Sequence, residues 1–391
     1  MSYKITTNFK DTDGVDLGDK LITKSYLIDV YGDIVPWLKN SGLFVTGINY
    51  EGELGTGNLI LLSSPVQLAG TNWKFVTSGS NHSVGIKSDG TLWAWGDSGY
   101  GQLGTGTLTD RSSPIQVGSD TNWKTISAHQ HNLAIKTDGT LWAWGLNTNG
   151  QLGNSSTISQ YTPVQIGSDN NWKQVQARQQ VSMALKTDGT LWGWGNNDYG
   201  QLGVSSTVSY SSPIQVGSDT NWKHISFGRY SCSALKTDGT LWTWGYNTEG
   251  ELGTSNNIYY SSPIQVGSDT NWKHISFGFH SCLGIKTDGT LWGWGNNNYG
   301  QLGINNTIKR NSPVQVGTGT NWKSLSNGFY STLAIKTDGT LWAWGYNMYG
   351  DLGIGTTINK SSPVQVGSDN NWKQINDYPY SRTFAIKDFD F

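Results

Sequence analysis

The sequence predicts an all-β fold, a seven-bladed β-propeller with four-stranded blades. Three observations predict it. A set of motifs recurs with a period of 49 or 50 residues, giving seven units over residues 43–391. Each unit holds four short apolar segments separated by turn residues, and none has the length or 3.6-residue periodicity of a helix. The two ends of the array are complementary fragments of one unit.

Tryptophan and proline mark the period. The segment LW-x-WG places its first tryptophan at Trp93, Trp142, Trp192, Trp242, Trp292 and Trp342. The segment NWK places one at Trp73, Trp123, Trp172, Trp222, Trp272, Trp322 and Trp372. Pro65, Pro114, Pro163, Pro213, Pro263, Pro313 and Pro363 keep the same beat.

Residues 291–340 show one full unit, LWGWGNNNYGQLGINNTIKRNSPVQVGTGTNWKSLSNGFYSTLAIKTDGT. LWGWG is a strand followed by a glycine-rich turn. PVQV is a second strand, opened by proline, which lacks an N–H and is tolerated at a strand's first residue. NWKSLS and STLAIK are the third and fourth. TDGT then turns the chain into the next LW, since Asp-Gly supplies the positive φ of a tight hairpin.

Trp292 and Trp294 lie two apart and share one strand face, leaving Gly293 on the other. Large side chains on one face and small ones on the other let adjacent blades interlock, with buried aromatics supplying apolar area. The motif Gly-Gln/Glu/Asp-Leu-Gly, as at Gly101–Gly104, Gly250–Gly253 and Gly350–Gly353, reads as a tight turn with a leucine plug. It is not a phosphate loop, because no GxxxxGK[ST] and no GxGxxG opening a helix occurs.

An open solenoid is the competing architecture, and solenoids carry atypical polar caps. Here the last unit stops at Phe384–Lys387 without its WG strand. The first begins with a WG-type strand, Leu43–Gly47, with no AIK strand before it. Pairing Leu43–Gly47 with Thr383–Lys387 completes the seventh blade and removes the free sheet edges.

Composition narrows the function classes. Lys+Arg is 26 against Asp+Glu 28, a net charge of -2, so nucleic acid is not an expected partner. Two cysteines do not make a disulfide scaffold. The start, MSYKITTNFK, has no apolar run for a signal peptide, and no stretch approaches the 18 apolar residues of a spanning helix. A cytoplasmic protein without membrane insertion is the expectation.

The repeat LWAWG-x-N-x-x-GQLG, SPVQVG, NWK-x-I-S-x-G, H/Y-S-x-x-A-I-K-T-D-G-T resembles those of the regulator of chromosome condensation family over residues 43–391. The resemblance implies a seven-bladed propeller closed by strands from both termini. Family members span guanine-nucleotide exchange on a small nuclear GTPase with chromatin binding, secreted inhibition of β-lactamases, and interaction modules, so fold does not select function. The exchange factor carries a basic N-terminal tail and an inserted wedge. This chain has neither, and exchange activity is not expected.

Residues 1–42 read as a separate arm. From Lys20 to Trp37, apolar residues including Tyr26, Leu27, Tyr31, Ile34 and Trp37 have a spacing that allows a short helix. The arm either braces the propeller or docks on another subunit, which leaves homo-oligomerisation through it open. Asp11-Thr12-Asp13-Gly14-Val15-Asp16 lacks the glutamate of a calcium loop, so no metal is expected. FKDTDGVDLGDKLITKSYLIDVY is similar to N-terminal segments of structural proteins in marine tailed bacteriophages. That resemblance implies a virion location.

Positions that differ between units carry the information on binding. One set follows the NWK strand: His82, His129, His131, Arg178, Arg229, Tyr230, Phe279, His280, Phe329, Tyr330 and Tyr380. A second follows WG and includes Tyr199, Tyr246, Tyr299, Tyr346 and Tyr349. A third precedes the proline and includes Tyr210 and Tyr259. The first set is expected to ring one mouth of the propeller as a docking face for a protein or glycan, since Tyr, Phe and Arg are typical contact residues. Drift among tandem duplicates is the competing reading. No blade breaks the pattern with a paired carboxylate or nucleophile, so no catalytic residue and no cofactor are expected. His224 and His274 occupy equivalent places in consecutive blades, and residues one blade apart face neighbouring sectors and need not converge. The functional expectation is a non-enzymatic structural or interaction protein. Its first form is a virion component of a tailed phage, and its alternative is a free protein-binding module.

Overall fold

Each repeat folds into one antiparallel sheet of four strands, and seven such sheets form among the described residues of this computed structural model. Those residues are 27–28, 34–35, 41–68, 72–375 and 382–388. Blades one to six run Trp73–Gln116, Trp123–Gln165, Trp172–Gln215, Trp222–Gln265, Trp272–Gln315 and Trp322–Gln365. In blade six the order from the inside outward is Trp322–Asn327, Ser331–Lys336, Leu341–Gly345 and Lys360–Gln365. The NWK strand is innermost because it bonds to its counterpart in the next blade. The Phe277 N–H donates to Ser226 Oγ at 2.8 Å, and the Asn327 N–H to Ser276 Oγ at 2.9 Å.

The closing blade combines Trp372–Ile375, Arg382–Asp388, Ser41–Gly47 and Leu62–Gln67. Leu43 pairs with Ile386, Val45 with Phe384 and Gly47 with Arg382. The expected closure therefore forms, extended at either end to Ser41–Asp388 and Gly47–Arg382.

Blades interlock through the tryptophan face. Leu133, Ile135 and Ala143 of blade two pack on Trp172, Val175 and Trp194 of blade three. Trp172 meets Trp192 and Trp194 edge-on, at 6.2 and 6.4 Å. Trp194 is fully buried, and its Nε1 donates to the Gln151 carbonyl of blade two at 2.9 Å. The Ser182 hydroxyl donates to the same carbonyl at 2.6 Å. The Gly-Gln-Leu-Gly turn is thus a latch onto the next blade, with Leu152 buried beneath it. Gly153 has φ +78, and a Cβ there would lie 2.7 Å from Trp194 Nε1, so glycine is required. Cys232 and Cys282 take the Ser182 position in blades four and five. Burial pushes both thiols well above their ordinary range, which suits packing rather than nucleophilic chemistry.

One expectation fails in the arm. Leu27–Ile28 and Ile34–Val35 pair as a two-stranded antiparallel ladder, with Leu27 opposite Val35, so these four residues are not helical. Ile and Val suit a pleated strand, and Gly32-Asp33 between the two runs is turn chemistry. Tyr26, Tyr31 and Trp37 lie outside the described residues.

Candidate docking face

An antiparallel blade sends alternate connections to opposite ends. The inner-to-second connection and the third-to-outer connection therefore emerge on one face. The Asp-Gly turns and the linkers between blades emerge on the other. This geometry merges the three variable sets of the sequence into one surface.

On that surface the rings form a chain across blades three to six. Tyr199 lies 4.9 Å from Tyr230 and 5.1 Å from Tyr246. Tyr246 reaches Tyr259 at 4.8 Å and His280 at 5.6 Å. His280 contacts Phe279 at 4.4 Å, and Phe279 stacks on Phe329 at 4.0 Å. Tyr330 touches Phe329 at 4.4 Å and Tyr299 at 4.8 Å, and Tyr299 continues to Tyr346 at 5.0 Å. Tyr349 ends the chain, 6.1 Å from Tyr346. The Arg229 guanidinium sits over Tyr230 at 4.8 Å and Phe279 at 4.5 Å. The His280 imidazole lies 3.1 Å from Glu251, whose side chain is wholly buried. Burial and neighbouring Tyr246 push the Tyr259 hydroxyl up to about 12, so it is a neutral donor at pH 7.

Five predicted docking residues are buried instead, Phe279 beneath the ring chain and four at blade boundaries. His82 and His131 begin the second strands of blades one and two and are fully buried. His82 Nε2 lies 3.0 Å from Asn132 Oδ1, and His131 Nε2 lies 2.8 Å from Ser182 Oγ, each in the next blade. Buried His129 contacts Ser80 Oγ at 3.2 Å. Arg178 ends an inner strand and donates through Nε to the Phe227 carbonyl at 3.0 Å. These polar groups reach across blade boundaries to satisfy one another, and burial follows. Arg229, Tyr230, Phe279, His280, Phe329 and Tyr330 join the ring chain. Tyr380 lies outside the described residues.

Known proteins share the propeller fold. A profile described as the RCC1-like domain matches residues 160–378, more than half of the chain. The chain belongs to the RCC1-like domain family. Profiles of the regulator of chromosome condensation (RCC1) repeat match residues 73–102, 129–151 and 89–135. Yeast RCC1 (Prp20), solved with Kap60 bound, superposes with a TM-score of 0.81 at 20% identity over 90% of each chain. Prp20p from Saccharomyces cerevisiae, studied for its binding to Gsp1p and histones, gives 0.80 at 19% identity over 90% of this chain and 93% of that one. Human WBSCR16 gives 0.81 at 20% identity over 90% of this chain and 100% of that one. At these identities the likeness is one of fold. No curated protein sequence matches.

Within the RCC1-like propeller, His224 and His274 come together. They lie on adjacent inner strands with ring centroids 5.5 Å apart, because inner strands converge toward the axis. Burial, then the neighbouring His224, pulls His274 down to about 3. Burial pulls His131 down to about 3 as well. Both stay neutral when folded, whereas the unfolded chain protonates near pH 6.5. Their contribution is complete above pH 6.5 and is lost as pH falls toward 3. Urea midpoints are expected to fall between pH 7.5 and 4.5, by roughly 1 kcal/mol per pH unit per histidine below 6.5. Among the described residues no cluster of three His, Cys, Asp or Glu is placed to hold a metal. No helix there is long and apolar enough to cross a membrane.

Proposed function

We propose that the chain is a non-enzymatic docking module that binds a protein partner through the aromatic face of blades three to six. The observation that carries this reading is the continuous ring chain from Tyr199 to Tyr349 with Arg229 seated in it. Tyrosine and arginine dominate interface hot spots, and rings held by their neighbours lose little freedom on binding. Blades one and two carry Asn81 and Gln130 where blades four and six carry Tyr230 and Tyr330, so the linked rings are confined to blades three to six.

In its finer form the proposal makes the module a structural component of a tailed-phage virion, with residues 1–42 as the assembly arm. The arm's sequence similarity supports this. A second reading, a free binding module, draws on the Prp20 structures, one solved with Kap60 and one concerned with Gsp1p and histones. Mass spectrometry of purified particles separates the two. Presence at a fixed stoichiometry favours the virion form, and absence favours the free module. In either case Tyr330→Ala and Tyr346→Ala are each expected to weaken the partner complex about thirtyfold, near 2 kcal/mol, with unchanged thermal midpoints. Full affinity in both variants refutes the face. Binding that survives deglycosylation of the partner excludes a glycan as the recognised group.

A further inference from the structure

The opposite face repeats a different unit in every blade. In blade five, Lys286 Nζ sits 4.0 Å from the ring of Trp292 and 5.0 Å from that of Trp272. Asp269 of the preceding linker neutralises it at 2.9 Å. Lys136, Lys186, Lys236 and Lys387 pair in the same way with Asp120, Asp169, Asp219 and Asp369, at 2.7 to 2.8 Å. Blade six keeps the lysine and both rings, with Lys336 Nζ 3.9 Å from Trp342 and 4.8 Å from Trp322. Its linker, however, has Gly319 where the others have aspartate.

The missing carboxylate leaves an opening. Lys336 is part-exposed, as is Lys387 in the closing blade, whereas Lys136, Lys186, Lys236 and Lys286 are buried. A groove of about 470 Å³ runs along the boundary of blades five and six and reaches Lys336, Gly319 and the two tryptophans. Arg310 also lines it, and no Asp or Glu does. Two cations therefore face one groove of a chain whose net charge is -2. The buried Trp322 indole N–H lines it without a hydrogen-bond acceptor. Lys87 of blade one also follows a linker without aspartate, but residues 69–71 of that linker are outside the description.

We propose that this groove docks an acidic segment of a partner protein, one of whose carboxylates takes the place at Lys336 that aspartate holds in five other blades. The geometry of the complex is set by those blades, with an oxygen 2.7 to 2.9 Å from the ammonium. Arg310 adds positive charge at the other end of the groove, with its Nη1 donating to the Ile308 and Lys309 carbonyls at 3.3 and 3.2 Å. The groove runs from the third-to-outer connection of blade five, at residues 303–306 and Arg310, to Lys336 at the other end of the blade, and none of the chained rings lines it.

The test uses the full chain with its lysines reductively ¹³C-methylated, which retains their charge. The probe is the peptide acetyl-Gly-Ser-Asp-Thr-amide, followed by NMR. Lys336 is assigned by the signal lost in Lys336→Gln. Its signal is expected to move with the peptide while that of Lys286 stays fixed. The analogue with asparagine is expected to bind roughly fivefold more weakly, the size of one partly exposed ion pair. Gly319→Asp is expected to abolish the response. A Cβ at Gly319 meets nothing closer than 3.5 Å, so that variant folds and fills the site from within. No movement of Lys336, equal binding of the asparagine peptide, or a full response in Gly319→Asp overturns the proposal. Sodium acetate as effective as the peptide also overturns it, reducing the groove to a simple anion site.

Discussion

Truncation before Arg382 is expected to destroy the closed propeller rather than trim it. Seven paired positions hold Ser41–Gly47 to Arg382–Asp388, and both are interior strands of the closing blade. Without the later strand, the earlier one becomes an open edge, and sheet edges recruit other chains. Leu43, Val45 and Ile386 belong to one core cluster, and Leu43 and Val45 are fully buried. Each is worth about 1.5–3 kcal/mol of burial, and together they approach the margin of about 5–15 kcal/mol that holds a domain folded. The truncated chain is expected to lose its cooperative urea transition and to elute as aggregate in size-exclusion chromatography. A truncated chain with an unchanged midpoint would show that closure is dispensable.

The second large effect is at the blade latch. Trp194→Ala is expected to cost about 3–5 kcal/mol, the usual range for a large aromatic removed from a core. Trp244→Ala is expected to cost about 1 kcal/mol more. Both tryptophans are fully buried, and both donate to a latch carbonyl, Trp194 to Gln151 at 2.9 Å and Trp244 to Gln201 at 3.0 Å. The difference lies in the second donor. Ser182 also serves the Gln151 carbonyl, whereas Cys232 stands at that station in blade four and bonds to Ser233 instead. Losing Trp244 removes the side-chain donor to a buried carbonyl, and an unmet buried acceptor is expensive. Urea unfolding of both variants checks the order, and equal losses would remove the latch from the explanation.

The fold was legible because each blade repeats the same local chemistry. Asp-Gly turns, paired tryptophans and a proline recur with one period, so tandem copies confirm one another, although the proline stands inside the irregular outer strand, as Pro313 does in Arg310–Gln315, and does not open it. The closing pair was legible because Leu43–Gly47 and Phe384–Lys387 each lack the partner that the other supplies. The docking surface was harder to read. The residues after NWK form one set in sequence, yet strand register separates them: His82 and His131 pair with Gly96 and Gly145 at the position that buried Ser231 holds in blade four, one residue beyond the loop station of Tyr230. Arg178 ends its inner strand before the loop, and Asn81, Gln130 and Gln180 hold the Tyr230 station in blades one to three. The tyrosines after WG were visible as variable positions. Counting antiparallel strands places them on the same face as the first set, and that signal was available in the sequence. Gly319 was equally readable as the one departure from Gly-Ser-Asp among blades two to six and the closing blade. Its meaning emerged only with the lysine and tryptophans around it.

The central claim is that the aromatic face of the propeller binds a protein partner. Its most direct measurement is site-specific photocrosslinking in the native particle or cell extract. Benzoylphenylalanine is placed at Tyr330 on the aromatic face and, in a second protein, at Thr287 beside the Asp-Gly turn of the opposite face. A single discrete crosslinked species from Tyr330 is the predicted result, with or without a second species from Thr287. The same species from Thr287 alone, or from neither position while the complex is intact, would contradict it.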